Sequence, residues 1–226
     1  MGIKSRLWRD AAETVDLRIS ESEKYAQELA SYGPTEHVVI PVARDLFCLS
    51  AEPTNKRPII GVSGYCSWSD HKGSVMVYDL QRYQPARKWE IIASGKGWPV
   101  DRVAHNHISD MPAFYQSLDV FLCTSFYEGG PFTVFEALSC GIPVVIPRDV
   151  GSLDELPDTF GIYRYTAGDF DGMYEALWEC IGNKGKHDRL ALRRLTKGMT
   201  ADAYCKQHKE IFTKYFGEVT DVAKFG

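Results

Sequence analysis

Two glutamates frame the segment of this chain whose residue types are best suited to chemistry. Glu128 and Glu136 are separated by seven residues, which include Gly129, Gly130 and Pro131. An ionised carboxylate accepts several hydrogen bonds at once, so both side chains suit the hydroxyl groups of a sugar or a ribose. The two glycines permit a tight turn and let a ligand approach the backbone closely. The pattern therefore predicts a turn that binds a polyol.

A helix is predicted to begin directly after this turn. Pro131 stands just before or at the first helical position, where the N–H group that proline lacks would have no helical partner. The N–H groups of Phe132, Thr133 and Val134 would then point out of a helix N-terminus, which favours a phosphate group. The alternative is an ordinary glycine turn whose acids only complement the helix dipole. This alternative explains each residue taken alone, but it does not explain the whole segment. We therefore expect a site for a phosphorylated polyol.

The elements that must position this turn are short apolar runs that alternate with amphipathic stretches. This alternation predicts an α/β fold, a Rossmann-like parallel sheet of about six strands with helices on both faces. In such sheets ligands bind beyond the carboxyl ends of the strands, so loops 64–73, 95–97 and 125–131 should form the site. Strands are predicted at 58–63, 89–94, 101–107, 119–124, 143–146 and 162–165, and helices at 74–82, 111–117 (with Asp110 as N-cap), 132–139, 170–181 and 187–215.

A short β-α appendage is predicted before the sheet. Residues 15–20 and 37–41 have the apolar character of strands. The helix 21–31 between them would begin with a capping box formed by Ser20 and Glu23. Residues 43–57 are then expected to connect the appendage to the sheet.

The bulk properties limit what such a site can serve. The 226-residue chain has a net charge of −4 and a pI near 5.9, so no global basic field favours a nucleic-acid partner. The six cysteines form no C-x-x-C pair, which argues against a zinc site and for a reducing compartment. No apolar run reaches the roughly 18 residues of a transmembrane helix, and the first residues lack a signal core. We therefore expect a cytoplasmic protein with no transmembrane segment and no metal site.

The residues around the two glutamates resemble a known family. Glu128 and Glu136, followed by A-L-x-C-G-x-P-V-V at 137–145, resemble the signature of retaining GT-B glycosyltransferases of the glycogen-synthase-like type, the group 1 glycosyltransferases. The resemblance covers roughly residues 12–215. Three other segments resemble the family's strand before the motif, its glycine-rich turn ending in Glu and its first phosphate loop: Asp119–Leu122, Gly151–Glu155 and Gly64–Gly73.

The resemblance implies a metal-independent hexosyltransferase that uses a UDP- or GDP-sugar as donor substrate and requires no cofactor. Glu136 would bind the ribose, Glu128 the donor hexose, and Lys72 the departing diphosphate, so Glu128 and Lys72 are the catalytic candidates. The absence of an Asp-x-Asp motif agrees with metal independence. The implied donor-binding residues are Gly64, Tyr65, Lys72, Gly95, Ile108, Glu128, Gly129, Gly130, Phe132, Thr133 and Glu136.

The chain departs from the family pattern in its first loop. Tyr65 follows Gly64 where the family has arginine, and Lys72 comes eight residues after Gly64 rather than six. One of two expected diphosphate cations is thus missing or displaced, and Lys96 is a candidate substitute.

The resemblance also implies one half of a GT-B protein. Residues 1–42 would be a remnant of the N-terminal domain and the crossover, 43–57 a linker, 58–200 the nucleotide-sugar-binding domain, and 201–226 a C-terminal helix and tail. An excised fragment, a short enzyme completed by a partner or a second copy, and an inactive donor-binding remnant all fit this length.

Three functional hypotheses follow. The first is transfer of a hexose to an acceptor hydroxyl with retention of configuration. The second is a non-catalytic nucleotide-sugar-binding subunit that completes a partner's active site. The third changes only the acceptor, to a hydroxylated base in DNA. The sequence leaves the sugar, the nucleobase, the acceptor and the oligomeric state open.

Overall fold

A parallel sheet lies at the centre of the protein. The structure, a computed structural model, describes residues 3–49, 51–67, 69–83, 88–104 and 107–217. Within these described residues, the short 3-10 helices Ala30–Tyr32 and Gly151–Glu155 supplement the regular elements. These elements are, in chain order, α1 (Ile3–Thr14), β1 (Arg18–Ser20), α2 (Glu23–Leu29), β2 (Thr35–His37), β3 (Ile59–Tyr65), α3 (Ser74–Tyr83), β4 (Glu90–Lys96), β5 (Arg102–Ala104), α4 (Met111–Gln116), β6 (Val120–Leu122), α5 (Phe132–Ser139), β7 (Val144–Arg148), β8 (Ile162–Thr166), α6 (Phe170–Gly182), α7 (Arg189–Arg194) and α8 (Ala201–Phe216).

The strand order of the sheet reverses once. The order is β5-β4-β3-β6-β7-β8, and every neighbouring pair is parallel. The chain runs outward from β3 to β5, returns to place β6 beside β3, and runs outward again to β8. Connections therefore leave β3 and β6 in opposite directions, which opens a crevice at their carboxyl ends. The predicted Rossmann-like sheet is confirmed.

Side chains of the inner strands alternate between two apolar cores, one on each face of the sheet. Val120 and Leu122 of β6 join the core that includes α3 and α6. Phe121 between them joins the core that includes α4 and α5. Helices thus cover both faces, as predicted, and a strand buried on both faces is apolar at every position.

The appendage is a β-α-β unit preceded by α1, a helix that the sequence interpretation does not include. Strands β1 and β2 are parallel, with Ser20 opposite His37. The predicted strand 37–41 is wrong in its bounds, because β2 ends at His37. The N–H of Val38 still bonds to Ser20 O at 3.0 Å, but the N–H of Val39 turns to Gln207 Oε1 of α8 at 2.9 Å. Tertiary contacts, not strand pairing, therefore account for the apolar run after β2.

Two predicted helix caps are corrected. The N-cap of α2 is Ser22, whose Oγ accepts from the Tyr25 N–H at 3.4 Å. Ser20 instead accepts from the Ser22 N–H at 3.1 Å, so the capping box with Glu23 does not form. Asp110 stands at the predicted N-cap of α4, but its side chain makes no capping hydrogen bond.

Two further predicted elements differ from the structure in extent. The helical region 187–215 is divided into α7 and α8 because Thr200 begins a new helix, with its Oγ1 accepting from the Ala203 N–H at 3.1 Å. The predicted strand 101–107 is shortened to β5, and residues 105–106 lie outside the described part of the chain. None of the described helices combines the length and apolar character needed to cross a lipid bilayer.

Candidate functional site

Strands β3 and β4 extend further toward the crevice than predicted, and a pair of glycines allows this. Gly64 and Gly95 lie opposite each other, both with φ +121°. A Cβ on Gly95 would lie 2.0 Å from the carbonyl oxygen of Gly64. That oxygen accepts from Trp98 Nε1 at 3.0 Å. The two predicted glycines therefore shape the crevice by close backbone packing.

The loop that carries Lys72 (residues 66–73, the Lys72 loop) is fastened to the end of β6. Thr124 Oγ1 donates to Lys72 O at 2.7 Å, and the Phe126 N–H donates to His71 O at 2.8 Å. Gly73 has φ +65°, and a Cβ there would lie 2.0 Å from Thr124 O. These contacts hold Lys72 at the crevice between β3 and β6.

Asp70 fixes the other end of the Lys72 loop. Its Oδ1 accepts from the Ser74 N–H at 2.6 Å and from Ser74 Oγ at 2.5 Å, and its Oδ2 accepts from the Val75 N–H at 3.3 Å. The sequence interpretation does not include this cap of α3. It is marked only by an Asp four residues before a helical Ser.

Asp70→Ala should lower the free energy of unfolding by about 1–2 kcal/mol, because the first N–H groups of α3 lose their acceptor. Urea denaturation measures this loss. Asp70→Asn keeps an acceptor oxygen and is the matched control, expected to lose much less. Equal stability of the alanine variant and the wild type would contradict the capping role.

Lys72 and Glu128, the two predicted catalytic residues, form an ion pair. Lys72 Nζ contacts Glu128 Oε1, and their side chains are 17% and 12% exposed. Ser125 Oγ donates to the same oxygen at 2.6 Å. Lys72 and Ser125 therefore both donate to Oε1. Because Oε2 has no donor in the described part of the chain, it can accept from a ligand. A diphosphate that binds Lys72 would compete with Glu128 for it.

The segment 125–131, which we call the glutamate turn, is packed between two other loops. Gly151 has φ +55°, and a Cβ there would lie 1.9 Å from Glu128 O. The Ser152 N–H donates to Gly129 O at 3.2 Å. On the other side, a Cβ on Gly130 would lie 2.5 Å from Glu21 Oε2. A side chain at Gly130 would therefore have to displace side chains of the appendage, whereas a Cβ on Gly129 would meet open space.

The expectation of three free N–H groups at the start of α5 is wrong for two of them. The Phe132 N–H donates to Gly130 O at 2.9 Å, and the Val134 N–H donates to Pro131 O at 3.0 Å. The turn closes on itself because Pro131, the N-cap, has a ψ of 78°. Of these three N–H groups, only that of Thr133 has no hydrogen-bond partner among the described residues. The start of α5 therefore offers one of these backbone donors to an anion.

Glu136 lies one turn into α5 and is half-buried. Tyr115 of α4 donates its hydroxyl hydrogen to Glu136 Oε2 at 2.7 Å. Burial raises the pKa of the Glu136 carboxyl, and the Tyr115 hydrogen bond partly opposes this increase. The sequence interpretation missed Tyr115, because a tyrosine in a short apolar helix is typical of core packing.

Two predicted donor-binding residues are exposed at or after the ends of strands of the sheet. Tyr65 ends β3 with 59% of its surface exposed, and Ile108 is exposed in the turn before α4. Lys96 ends β4, where its carbonyl accepts from the Cys66 N–H at 2.9 Å. That the Lys96 side chain acts as a second cation for the diphosphate stays a prediction.

A cleft of about 760 Å³ opens between α2 and the glutamate turn. The sequence interpretation did not include this cleft, because it depends on how the appendage packs. Glu155 of the 3-10 helix accepts from the Glu23 N–H at 2.7 Å and contacts His37 Nε2 at 3.4 Å, which seats α2 at this place. The cleft is lined by Ile19, Ser20, Lys24, Tyr25, Glu28, Leu29, Phe126, Tyr127, Glu128, Gly129 and Asp149.

Comparison with known families covers the part of the chain that holds both glutamates. Residues 84–183 match the family described as Glycosyl transferases group 1. The chain is also 31% identical over 141 residues to O-antigen chain mannosyltransferase B of Escherichia coli, an alignment of 59% of this chain and 32% of that protein. Residues 84–183 are therefore similar to the domain that defines the group 1 glycosyltransferases. The resemblance in the glutamate signature is thereby confirmed at the level of the family.

Solved structures of similar fold support the architecture of this chain. Sucrose-phosphate synthase from Thermosynechococcus elongatus matches 94% of the chain with a TM-score of 0.77 at 17% identity, over 62% of its own length. Anabaena HepE in complex with UDP-glucose matches 92% of the chain with a TM-score of 0.76 at 17% identity, over 67% of its own length. The expected GT-B half is confirmed. The chain spans about a third of the mannosyltransferase and less than two thirds of the synthase.

Proposed function

We propose that this protein is a glycosyltransferase that binds a nucleotide-diphosphate sugar in the crevice between β3 and β6. It would transfer the hexose to an acceptor hydroxyl with retention of configuration and without a metal. The observation that carries the proposal is the meeting of Lys72 and Glu128 beside the start of α5. Lys72 is a cation that suits a diphosphate, and Glu128 is a carboxylate that suits hydroxyl groups. The two side chains thus lie side by side where Rossmann-like sheets bind ligands.

Each residue of the site has a role in this proposal. Lys72 stabilises the charge that develops on the departing diphosphate, since an ordered cation in a partly buried site stabilises such charge strongly. The Thr133 N–H adds one donor to a phosphate oxygen. Glu128 Oε2 accepts from hydroxyl groups of the hexose, and Glu136 accepts from the ribose.

The similar proteins support a nucleotide-sugar donor. The relative from Escherichia coli is named a mannosyltransferase, and the HepE structure contains UDP-glucose. We therefore propose a UDP- or GDP-hexose as donor. The acceptor would enter by the cleft beside α2, which reaches Glu128.

A non-catalytic nucleotide-sugar-binding subunit is the second candidate. The observation that favours it is the exposed ring of Tyr65 at the end of β3, where the family places a second cation. Such a subunit would bind the donor but would need a partner or a second copy for transfer. Donor hydrolysis or sugar transfer by this chain alone would decide for the enzyme.

Donor binding is tested by thermal unfolding with a panel of UDP-, GDP- and ADP-sugars. A true donor at 100 times its Kd should stabilise the fold by about 2.7 kcal/mol and raise Tm accordingly. Glu136→Ala should remove most of this rise, because the ribose loses its acceptor.

Glu210→Ala is the matched control for the donor panel. Glu210 is exposed on α8 and pairs with Lys206 at 3.8 Å, so its loss should leave the response to the donor unchanged. A wild-type protein that responds to none of the sugars would rule out the proposed donor site.

A further inference from the structure

Tyr115 is a buried polar residue beside the nucleotide site. Its side chain is 0% exposed. Its ring packs edge-on against Phe47, Phe114 and Phe121, with centroid distances of 5.8, 5.4 and 5.6 Å. A buried hydroxyl without a partner costs about 1–3 kcal/mol. The hydrogen bonds of this phenol therefore show what its hydroxyl contributes beyond packing.

The phenol hydroxyl of Tyr115 bonds to the glutamate that is proposed to bind the ribose. Its O–H donates to Glu136 Oε2 of α5 at 2.7 Å. With Oε2 engaged, rotation of the carboxylate is restricted. The Oε1 atom has no partner among the described residues, so it is the acceptor left for a ligand.

We infer that Tyr115 is a positioning residue, which holds the Glu136 carboxylate in the orientation that accepts the ribose hydroxyls. This inference rests on the proposed function, because Glu136 meets a ribose only if the crevice binds a nucleotide. Binding groups act best when a second layer of hydrogen bonds fixes their orientation. A residue that only packs would need the ring of Tyr115 but not its hydroxyl.

The same hydrogen bond affects the charge of Glu136. Burial raises the pKa of Glu136, and the Tyr115 hydrogen bond lowers it. Burial keeps the pKa of Tyr115 well above its usual value, so the phenol is a donor at neutral pH. Cys140 is a further titratable group beside Glu136, and it is neutral at neutral pH because burial raises its thiol pKa to about 12. Loss of the Tyr115 hydroxyl should therefore raise the pKa of Glu136 further.

The test is Tyr115→Phe, which removes the hydroxyl and keeps the ring. Calorimetric titration with UDP and GDP at pH 7.5 should show a Kd about 10- to 100-fold higher for the better-bound nucleotide, the effect of losing one hydrogen bond to a charged group. As the pH falls, Glu136 gains a proton and stops accepting, so binding weakens. In the variant this acid loss should begin at a higher pH than in the wild type.

Two comparisons separate positioning from packing. In a double-mutant cycle, Tyr115→Phe should add no loss of affinity when Glu136 is already alanine. Phe47→Leu disturbs the same aromatic cluster without touching the hydroxyl. It should lower Tm but leave the Kd and the pH profile of nucleotide binding within about twofold, as expected for a change in packing alone.

The outcomes distinguish this inference from the proposed function. Wild-type affinity and an unchanged pH profile in Tyr115→Phe, or an additive loss in the cycle, would overturn the positioning role alone. A wild-type protein that binds neither UDP nor GDP would overturn both. If Tyr115→Phe does not fold in buffer, the titration is repeated at about 10 °C in sucrose, which favours the folded state. Wild-type affinity of the refolded variant would then overturn the positioning role.

Discussion

Lys72→Met should lower the turnover of the nucleotide-sugar donor by about 100- to 1000-fold, the effect typical of removing one donor to developing charge in an enclosed site. Methionine keeps much of the volume of the lysine side chain and removes its charge. The loss should appear in kcat, because the charge on the diphosphate grows as the sugar departs. Steady-state donor hydrolysis or transfer at saturating donor measures it.

A stability control separates this chemical role from the ion pair. Lys72→Met leaves Glu128, which is 12% exposed, without its counter-ion, so the single variant should also unfold more easily. Adding Glu128→Gln removes the unpaired charge and should restore stability but not turnover. Lys206→Met on the exposed surface of α8 should change neither. Recovery of turnover in the Lys72→Met/Glu128→Gln double variant would contradict the role of Lys72.

The second large effect is expected from Gly151→Ala. The left-handed backbone at φ +55° costs an alanine about 1 kcal/mol, and its Cβ would stand 1.9 Å from Glu128 O. Relieving that contact requires a backbone shift in one of the two loops. We expect a total loss of about 2–4 kcal/mol of unfolding free energy. Donor affinity should fall as well, because the shift moves Glu128.

Gly198→Ala is the matched control for this prediction. Gly198 is not among the glycines with positive φ, and a Cβ there would meet nothing within 4 Å. Its substitution should change stability by less than about 0.5 kcal/mol, as is usual at unconstrained surface positions. Guanidinium denaturation measures both variants. Equal stability of the two, with unchanged donor affinity, would show that the glutamate turn does not depend on Gly151.

The sheet and the meeting of Lys72 with Glu128 could be predicted from the sequence for one physical reason. Strands covered on both faces are apolar at every position, so β3, β6 and β7 are visible as apolar runs. Alternation with helices then makes the strands parallel, and this brings the loops after β3 and β6 to one edge. Glycines and acids in those loops identify the site before any distance is known.

The details that escaped prediction depend on contacts between distant segments. Val38 and Val39 look like strand residues, but Gln207, far along the chain, takes the backbone N–H of Val39. Nothing in the local sequence distinguishes Tyr115, buried beside Glu136, from an ordinary core tyrosine. The hydrogen bonds of Phe132 and Val134 arise from the particular turn at Pro131, which residue types alone do not specify.

The shared oxygen of Glu128 has a consequence for selectivity. With Lys72 and Ser125 both directed at Oε1, the positive charge of Lys72 is offset by Glu128. Inorganic phosphate or a nucleoside triphosphate would have to draw Lys72 away from Glu128, and neither brings a hexose hydroxyl to offset the carboxylate left behind. A nucleotide sugar supplies both groups in one molecule. On the proposed function, the site should therefore bind a nucleotide sugar more tightly than the corresponding nucleoside diphosphate.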